Sequence, residues 1–334
     1  MYNIIMDFEK VECVDNLEMS YISNLSGGYI SRNTHVFNRI ELNELNKFIL
    51  EKSVFGTPIF KLGHGENKLL ILSGIHGNEL PSQIANIRLL NELVDKKING
   101  TVFFIPFAAP KATMENKRLF NTLDLNRAAH VKNSLSNLII QKIEELGISF
   151  VGDFHSTAFN SNPGFESIFS TKSPTAESFL IANYIARDID SRIIALDCAG
   201  ESYMGAVEDV CNVRGIPAIT GEVLSPFASV GEGSVERSYL QMKSFLSYFG
   251  IWSWVFLKKG WFNSLEMGVQ IKGIYFSTDS ISAWLGALIS INFPSFMNPN
   301  NVPSSSFFKY PECPETVAFS EPSGPVALSI PPSA

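Results

Sequence analysis

The stretch 69-LLILSGIHGNELPSQIA-85 runs from four contiguous apolar residues, Leu69 to Leu72, into a glycine-flanked histidine and, three residues later, a glutamate. An uninterrupted apolar run bounded by turn residues suits a strand buried on both faces, and the following "PSQIANIRLLNELVDK" places apolar residues at helical spacing. Strand, tight turn and helix together make one unit of an α/β sheet. In such sheets reactive groups gather at the carboxyl ends of the strands. His76 and Glu79 therefore stand where chemistry is expected.

Working outward, "NRIELNELNKFILEKS" predicts an amphipathic helix, and "TPIFKL", the turn "GHGEN" and "KLLILS" read as strand, hairpin turn and strand. Strand-like and helix-like segments then alternate: "TVFFIPF", "SLSNLIIQKIEELG", "ISFVGDFH", "SPTAESFLIANYIARD", "RIIALD", "VEDVCNVRG", "IPAITGEV" and "EGSVERSYLQMKSFLSYFG". Apolar strands between amphipathic helices predict an α/β fold whose sheet is covered on both faces and mostly parallel. His155 is expected just after a strand at 148–154, and Glu222 just after one at 216–221. Asn126 and Arg127 fall in the long connection after the strand at 101–107. Residues 1–40 show no clear period and stay unassigned; 41–258 form the expected catalytic domain. The remainder, 259–334, is a poorly defined C-terminal extension, weak strands to about 297 and then a Pro/Ser-rich tail.

With 334 residues, 45% hydrophobic and 18% charged, the chain can bury a sizeable core in one large or two modest domains. A net charge of -7 without any Lys/Arg block argues against nucleic acid or an anionic membrane as partner. Positive charge needed for function must be local. Acidic residues occupy the start, where an export signal would be basic, and the runs "FLSYFGIWSWVFL" and "ISAWLGALISINF" fall short of the roughly 20 residues a spanning helix needs. The 4 cysteines are widely spread with no C-x-x-C pair, which fits a reducing compartment, so the cytoplasm is expected.

A hydrolytic zinc takes three protein ligands from histidine and carboxylate and keeps a fourth position for water. His76 and Glu79 with a distant histidine, His155 in "GDFHS", supply that set, and Gly74 and Gly77 allow close backbone approach. Each histidine alone has a plainer reading, a hydrogen-bonded core residue, and the His-x-x-Glu spacing alone is weak. The chain has only 5 histidines, though, and the other three, His35, His64 and His130, are read as exposed and uninvolved. In "TLDLNRAAH", Asn126 and Arg127 can hold a carboxylate by an amide donor and a two-pronged guanidinium; the plainer reading of Arg127 is a structural ion pair. Asp124 either caps a turn or accepts a hydrogen bond from a ligand histidine. Glu222 in "PAITGEVLSP" is the expected general base and acid; Glu201 and Glu208, its competitors, read as solvated loop or helix residues.

The ordered series G-x-H-G-N-E, D-L-N-R, D-F-H-S and T-G-E resembles the succinylglutamate desuccinylase and aspartoacylase family, part of the wider zinc carboxypeptidase (M14-type) fold group. The resemblance covers roughly residues 41–250. It implies an α/β/α sandwich around a mixed sheet, one Zn2+ per chain on His76, Glu79 and His155, and Glu222 as the catalytic carboxylate. It also implies Asn126 and Arg127 on the substrate carboxylate, Asp124 supporting His76, and Arg118 polarising the scissile carbonyl. Where relatives often read D-L-N-R-x-F this chain has "DLNRAA", an expected enlargement or loosening of the substrate pocket. The activity so implied is deacylation of a small N-acyl amino acid or related carboxylate-bearing amide. A metallocarboxypeptidase trimming a short peptide is the alternative, and a non-catalytic carboxylate-binding module a third reading. Cobalt or manganese could fill a similar ligand set, and the oligomeric state is left open.

Overall fold

The computed structural model describes residues 7–12 and 14–251; the weak strands and tail expected at 259–334 lie outside the described residues. The elements run β1 (Glu9–Lys10), β2 (Leu17–Ser23), α1 (Thr34–Phe37), α2 (Glu44–Phe55), β3 (Thr57–Leu62), β4 (Lys68–Ser73), α3 (Leu80–Leu93), β5 (Thr101–Ile105) and α4 (Pro110–Met114). They continue with α5 (Leu135–Leu146), β6 (Phe150–Thr157), β7 (Ser167–Ser173), α6 (Ala176–Ile189), β8 (Arg192–Cys198), α7 (Val207–Val213), β9 (Ala218–Leu224) and α8 (Ser234–Tyr248).

The nine described strands form one sheet in the order β1-β2-β3-β5-β4-β6-β9-β7-β8. It is a mixed sheet: β5, β4, β6 and β9 run parallel at the centre, and β3 and β7 join that block antiparallel on either side. The alternation of strand side chains divides the core in two. Leu69 and Ile71 of β4 point into one apolar cluster with α2, α3, α6 and α8, whereas Leu70 and Leu72 point into a second with α5 and α7. The same split recurs in β5, with Val102 and Phe104 on one side and Phe103 and Ile105 on the other. Helices thus cover both faces, the α/β/α sandwich that the motifs implied.

Local chemistry sets the helix ends. The side chain of Asn43 accepts from the Asn46 N–H at 2.8 Å at the start of α2, and Ser134 does the same for Asn137 at 3.0 Å at the start of α5. Gly147, with φ +63°, closes α5 in the left-handed conformation that glycine adopts freely.

Three expectations change. Residues 17–23, inside the unassigned N-terminal segment, form β2 and pair with β3. The turn 63–67 is not a hairpin, because β5 inserts between β3 and β4. Residues 167–173, where no strand is expected, form β7, which closes against β9. None of these pairings is local, so none leaves a short-range signature.

Candidate active site

The site is built where β4 stops. Gly74, at φ +78°, turns the chain out of the strand, and a Cβ on Gly77 would lie 2.1 Å from the Ala112 carbonyl carbon, so only glycine fits between His76 and α4. Glu79 is the N-cap residue of α3, yet its carboxylate makes no capping bond. It turns instead toward the histidines: Oε1 lies 2.8 Å from Nδ1 of His76, and Oε2 lies 2.7 Å from Nδ1 of His155 and accepts from the Ser156 N–H at 3.2 Å. Gln83 braces the turn by donating from Nε2 to the Glu79 carbonyl at 2.9 Å.

His155 and Glu222 do not follow their strands, as expected from the apolar runs, but sit inside them. β6 and β9 continue through the register pairs His155↔Glu222, Ser156↔Val223 and Thr157↔Leu224. β4 ends one step earlier, at Ser73↔Phe154. The two longer strands project beyond it, and directly paired residues share a face of the sheet. His155 and Glu222 therefore stand side by side above the end of β4.

His76, Glu79 and His155 are all buried, and one potential ligand atom from each lies within 4.8 Å of the others. Two inner Nδ1 atoms and a carboxylate converge, while the outer nitrogens face further carboxylates. Nε2 of His76 is 3.0 Å from Oδ1 of Asp124, and Nε2 of His155 is 3.0 Å from Oδ2 of Asp153, close but too far off line to count as a hydrogen bond. A carboxylate behind each ring can keep the proton on the outer nitrogen when a cation takes the place of the proton that the inner nitrogen shares with Glu79, the arrangement of metal-ligating histidines. The residues present thus fit a divalent cation of the zinc type. Asp153 escaped the sequence analysis, although its signal was there, two residues before His155.

Charges at this cluster are strongly perturbed. Burial by itself would raise the Glu79 carboxyl, but His76 and His155 hold it well below the usual carboxylate range. Burial would lower His155; Asp153 and Glu79 instead raise it well above its ordinary value. The Glu222 carboxyl is pushed up to about 8 by burial and by the charge of Glu79, and its Oε2 is buried without a hydrogen-bond partner among the described residues.

The connection 115–130 supplies the other wall. Asp124 satisfies both of its readings: Oδ1 accepts the Asn126 N–H at 3.0 Å, capping the short 3-10 turn Leu125–Arg127, and also meets His76. Against burial, His76 and then Arg118 hold its carboxyl below the ordinary range. Arg118 is partly exposed and donates to Oε1 of Glu79 at 3.1 Å and to Oδ2 of Asp124 at 3.3 and 3.2 Å. Arg127 makes no ion pair among the described residues; its guanidinium lies 5.5 Å from the Tyr203 ring centroid at the rim of the pocket. Asn126 accepts from the Val207 N–H at 3.3 Å.

One pocket gathers His76, Glu79, Glu222, Arg118, Asn126 and Arg127, with Ser156 of β6 and Asn162 of the loop that follows it also in its wall. His35, His64 and Glu201 are exposed, as expected, whereas His130 is half-buried. Two corrections follow. Ala128 and Ala129 are buried and Ala129 belongs to the core, so "DLNRAA" does not enlarge this pocket. Glu208 is not solvated: it is 4% exposed and lines the pocket, because the first turn of α7 packs inward against the 3-10 turn.

Residues 66–183 match the model of the succinylglutamate desuccinylase/aspartoacylase catalytic domain. This is the family that the motifs resemble. The matched segment holds His76, Glu79, Arg118, Asp124, Asn126, Arg127 and His155, with Glu222 beyond it. Among solved structures, a succinylglutamate desuccinylase from a Silicibacter species is 15% identical with a TM-score of 0.50, over 75% of this chain and 72% of that one, and shares the fold. A succinylglutamate desuccinylase/aspartoacylase from Rhodobacter sphaeroides is 19% identical with a TM-score of 0.47, over 60% of this chain and 62% of that one. An aspartoacylase family protein from Mesorhizobium loti is 23% identical with a TM-score of 0.46, over 58% and 62%. The chain thus spans less than two thirds of the length of the latter two. A search of curated proteins gave no match. No helix among the described residues is long and apolar enough to cross a membrane.

Proposed function

We propose that this chain is a zinc-dependent amide hydrolase that removes the acyl group from an N-acyl amino acid or a related carboxylate-bearing amide. The observation that carries the reading is the buried convergence of His76, Glu79 and His155 beside Glu222, whose Oε2 is buried without a hydrogen-bond partner among the described residues. A purely structural cluster has no use for an uncompensated carboxyl at its open side.

Zinc held by Nδ1 of His76, Nδ1 of His155 and the Glu79 carboxylate would supply Lewis acidity and a bound water of lowered pKa. Glu222 takes the proton of the attacking water and later hands it to the departing nitrogen. Nη1 of Arg118, on the partly exposed connection, would turn from Glu79 to the substrate carbonyl and stabilise the negative charge that develops on its oxygen. Asn126 and Arg127 grip the substrate carboxylate, so that binding becomes orientation. Asp124 and Asp153 keep the outer imidazole nitrogens protonated and the rings aligned.

The test begins with elemental analysis of the purified chain and of His76→Ala. About one zinc per wild-type chain, lost in the variant, is expected from a three-ligand site. Rates on N-acyl amino acids and on blocked dipeptides then separate the deacylase from a carboxypeptidase. A wild-type chain that takes up no divalent metal after zinc is added removes the catalytic reading and leaves a carboxylate-binding module.

A further inference from the structure

Glu208 is a charged side chain in a place where burial has to be explained. α7 is anchored by Val207, Val210 and Cys211, which face the core cluster under α5. Glu208 departs from that side and lines the same pocket as Arg127 and Glu222. Its carboxylate is held in place: Oε1 accepts from Nδ2 of Asn212 at 2.6 Å, and Asn212 is itself fixed, accepting at Oδ1 from the Ala218 N–H at 3.1 Å. Burial, and next the neighbouring Asp209, push the Glu208 carboxyl up to about 8, so in the empty pocket its charge is costly.

The pocket's charges can be assigned one by one. Glu79 belongs to the histidine cluster, Glu222 to proton transfer, and Arg118 is matched by Asp124. Arg127 and Glu208 remain, a cationic end and an anionic end with no counter-ion for either among the described residues. The bond from the Val207 N–H to Oδ1 of Asn126 holds α7 directly against the turn that carries Arg127. Tyr203 and Phe169, packed edge to face with centroids 5.5 Å apart, line the same pocket and offer apolar surface for a short aliphatic stem. We propose that Glu208 is the specificity residue of this pocket and selects an N-acyl amino acid whose own side chain ends in a cation, an amine or a guanidinium. The substrate carboxylate then meets Arg127 while the side-chain cation meets Glu208, which ionises as the cation arrives. This proposal rests on the hydrolase reading for its substrate class but concerns the pocket itself.

The experiment compares Nα-acetyl-lysine, Nα-acetyl-ornithine, N-acetyl-norleucine and N-acetyl-glutamate on the zinc-loaded full chain. The expected result is a kcat/KM for the lysine or ornithine derivative about 10-fold or more above that for norleucine, with glutamate lowest, since an unmatched buried polar group rejects the analogue that lacks its partner. In Glu208→Gln the lysine-to-norleucine ratio falls toward one. A purely structural Glu208 would lower all rates together and leave that ratio unmoved. A wild-type chain that treats lysine and norleucine alike, or a ratio that survives in Glu208→Gln, overturns the proposal; if Glu208→Gln misfolds, the wild-type ranking decides alone. Should no acyl derivative be cleaved, the hydrolase reading fails, and calorimetric titration with free lysine, norleucine and glutamate decides for the pocket. Tighter binding of lysine, lost in Glu208→Gln, upholds the assignment, and equal or absent binding of all three overturns it.

Discussion

The two walls of the pocket are built differently. His155, Asp153 and Glu222 ride on β6 and β9, buried or nearly so and held in register by the main-chain ladder between those two strands. Arg118, Asp124, Asn126 and Arg127 sit on the connection 115–130, partly exposed, and position one another largely through side-chain contacts. The strand-borne wall is rigid before any ligand arrives, and the loop-borne wall owes its shape to its charges. On the proposed reading, the strand wall carries groups that would hold a cation and move a proton, which tolerate little displacement. The loop wall suits groups that recognise a substrate and release it.

That contrast breaks if substitutions on the two walls behave alike. The largest effect is expected at Glu222→Gln, where kcat falls about 10²- to 10⁴-fold while zinc content, read by elemental analysis, stays at the wild-type level. A normal rate in that variant would remove Glu222 as the base. Next come the acceptors behind the histidines: Asp153→Asn and Asp124→Asn should each weaken metal affinity about 10- to 100-fold in competition with a chelator. Because Asp124 also holds Arg118, only its substitution should slow turnover at saturating zinc as well. Equal kinetic losses from the two would erase the distinction between the walls. On the loop wall, Arg127→Met is expected to raise KM about 10-fold with kcat little changed, the mark of binding shared by ground state and transition state.

The smallest effect concerns stability. A carboxyl at about 8 when folded, against an ordinary 4.5, binds more protons in the folded chain than in the unfolded one. Stability from this group is therefore greatest below 4.5 and declines as pH rises toward 8. Glu222 and His155, both raised in the folded state, act in the same direction. In the metal-free chain, thermal unfolding at pH 5 and pH 8 should show a wild-type decline that Glu208→Gln reduces by on the order of a few degrees. An identical decline in the variant would place Glu208 outside the titration.

The strand-borne wall was the more legible in the sequence, and the reason is physical. A residue buried on a central strand needs apolar neighbours on both faces, so "LLIL", "TVFFI" and "ISFVG" announce themselves. What could not be read was where β6 and β9 end: Ser156 and Thr157 are not apolar, yet the pairing to Val223 and Leu224 extends both strands through them. On the loop wall the motif D-L-N-R showed which side chains matter but not that Arg118 would meet both Glu79 and Asp124. Glu208 was misread because an isolated charge in a short helix carries no sign of burial. Its burial follows from the packing of α7 against the turn of Asn126, held by the bond from the Val207 N–H.

By itself the sequence determined the chemistry on offer: two histidines, the carboxylates, and a G-x-H-G-N-E turn whose Gly74 supplies the positive φ that leads the chain out of β4. It also determined the alternation of buried strands and helices, which follows from where apolar side chains recur. Tertiary structure alone decided the register that sets His155 beside Glu222, the insertion of β5 between β3 and β4, the closure of β7 on β9, and the inward turn of Glu208. Register and burial are relations between segments distant in the chain, set by the packing of the whole sheet, and no short stretch of residues contains them.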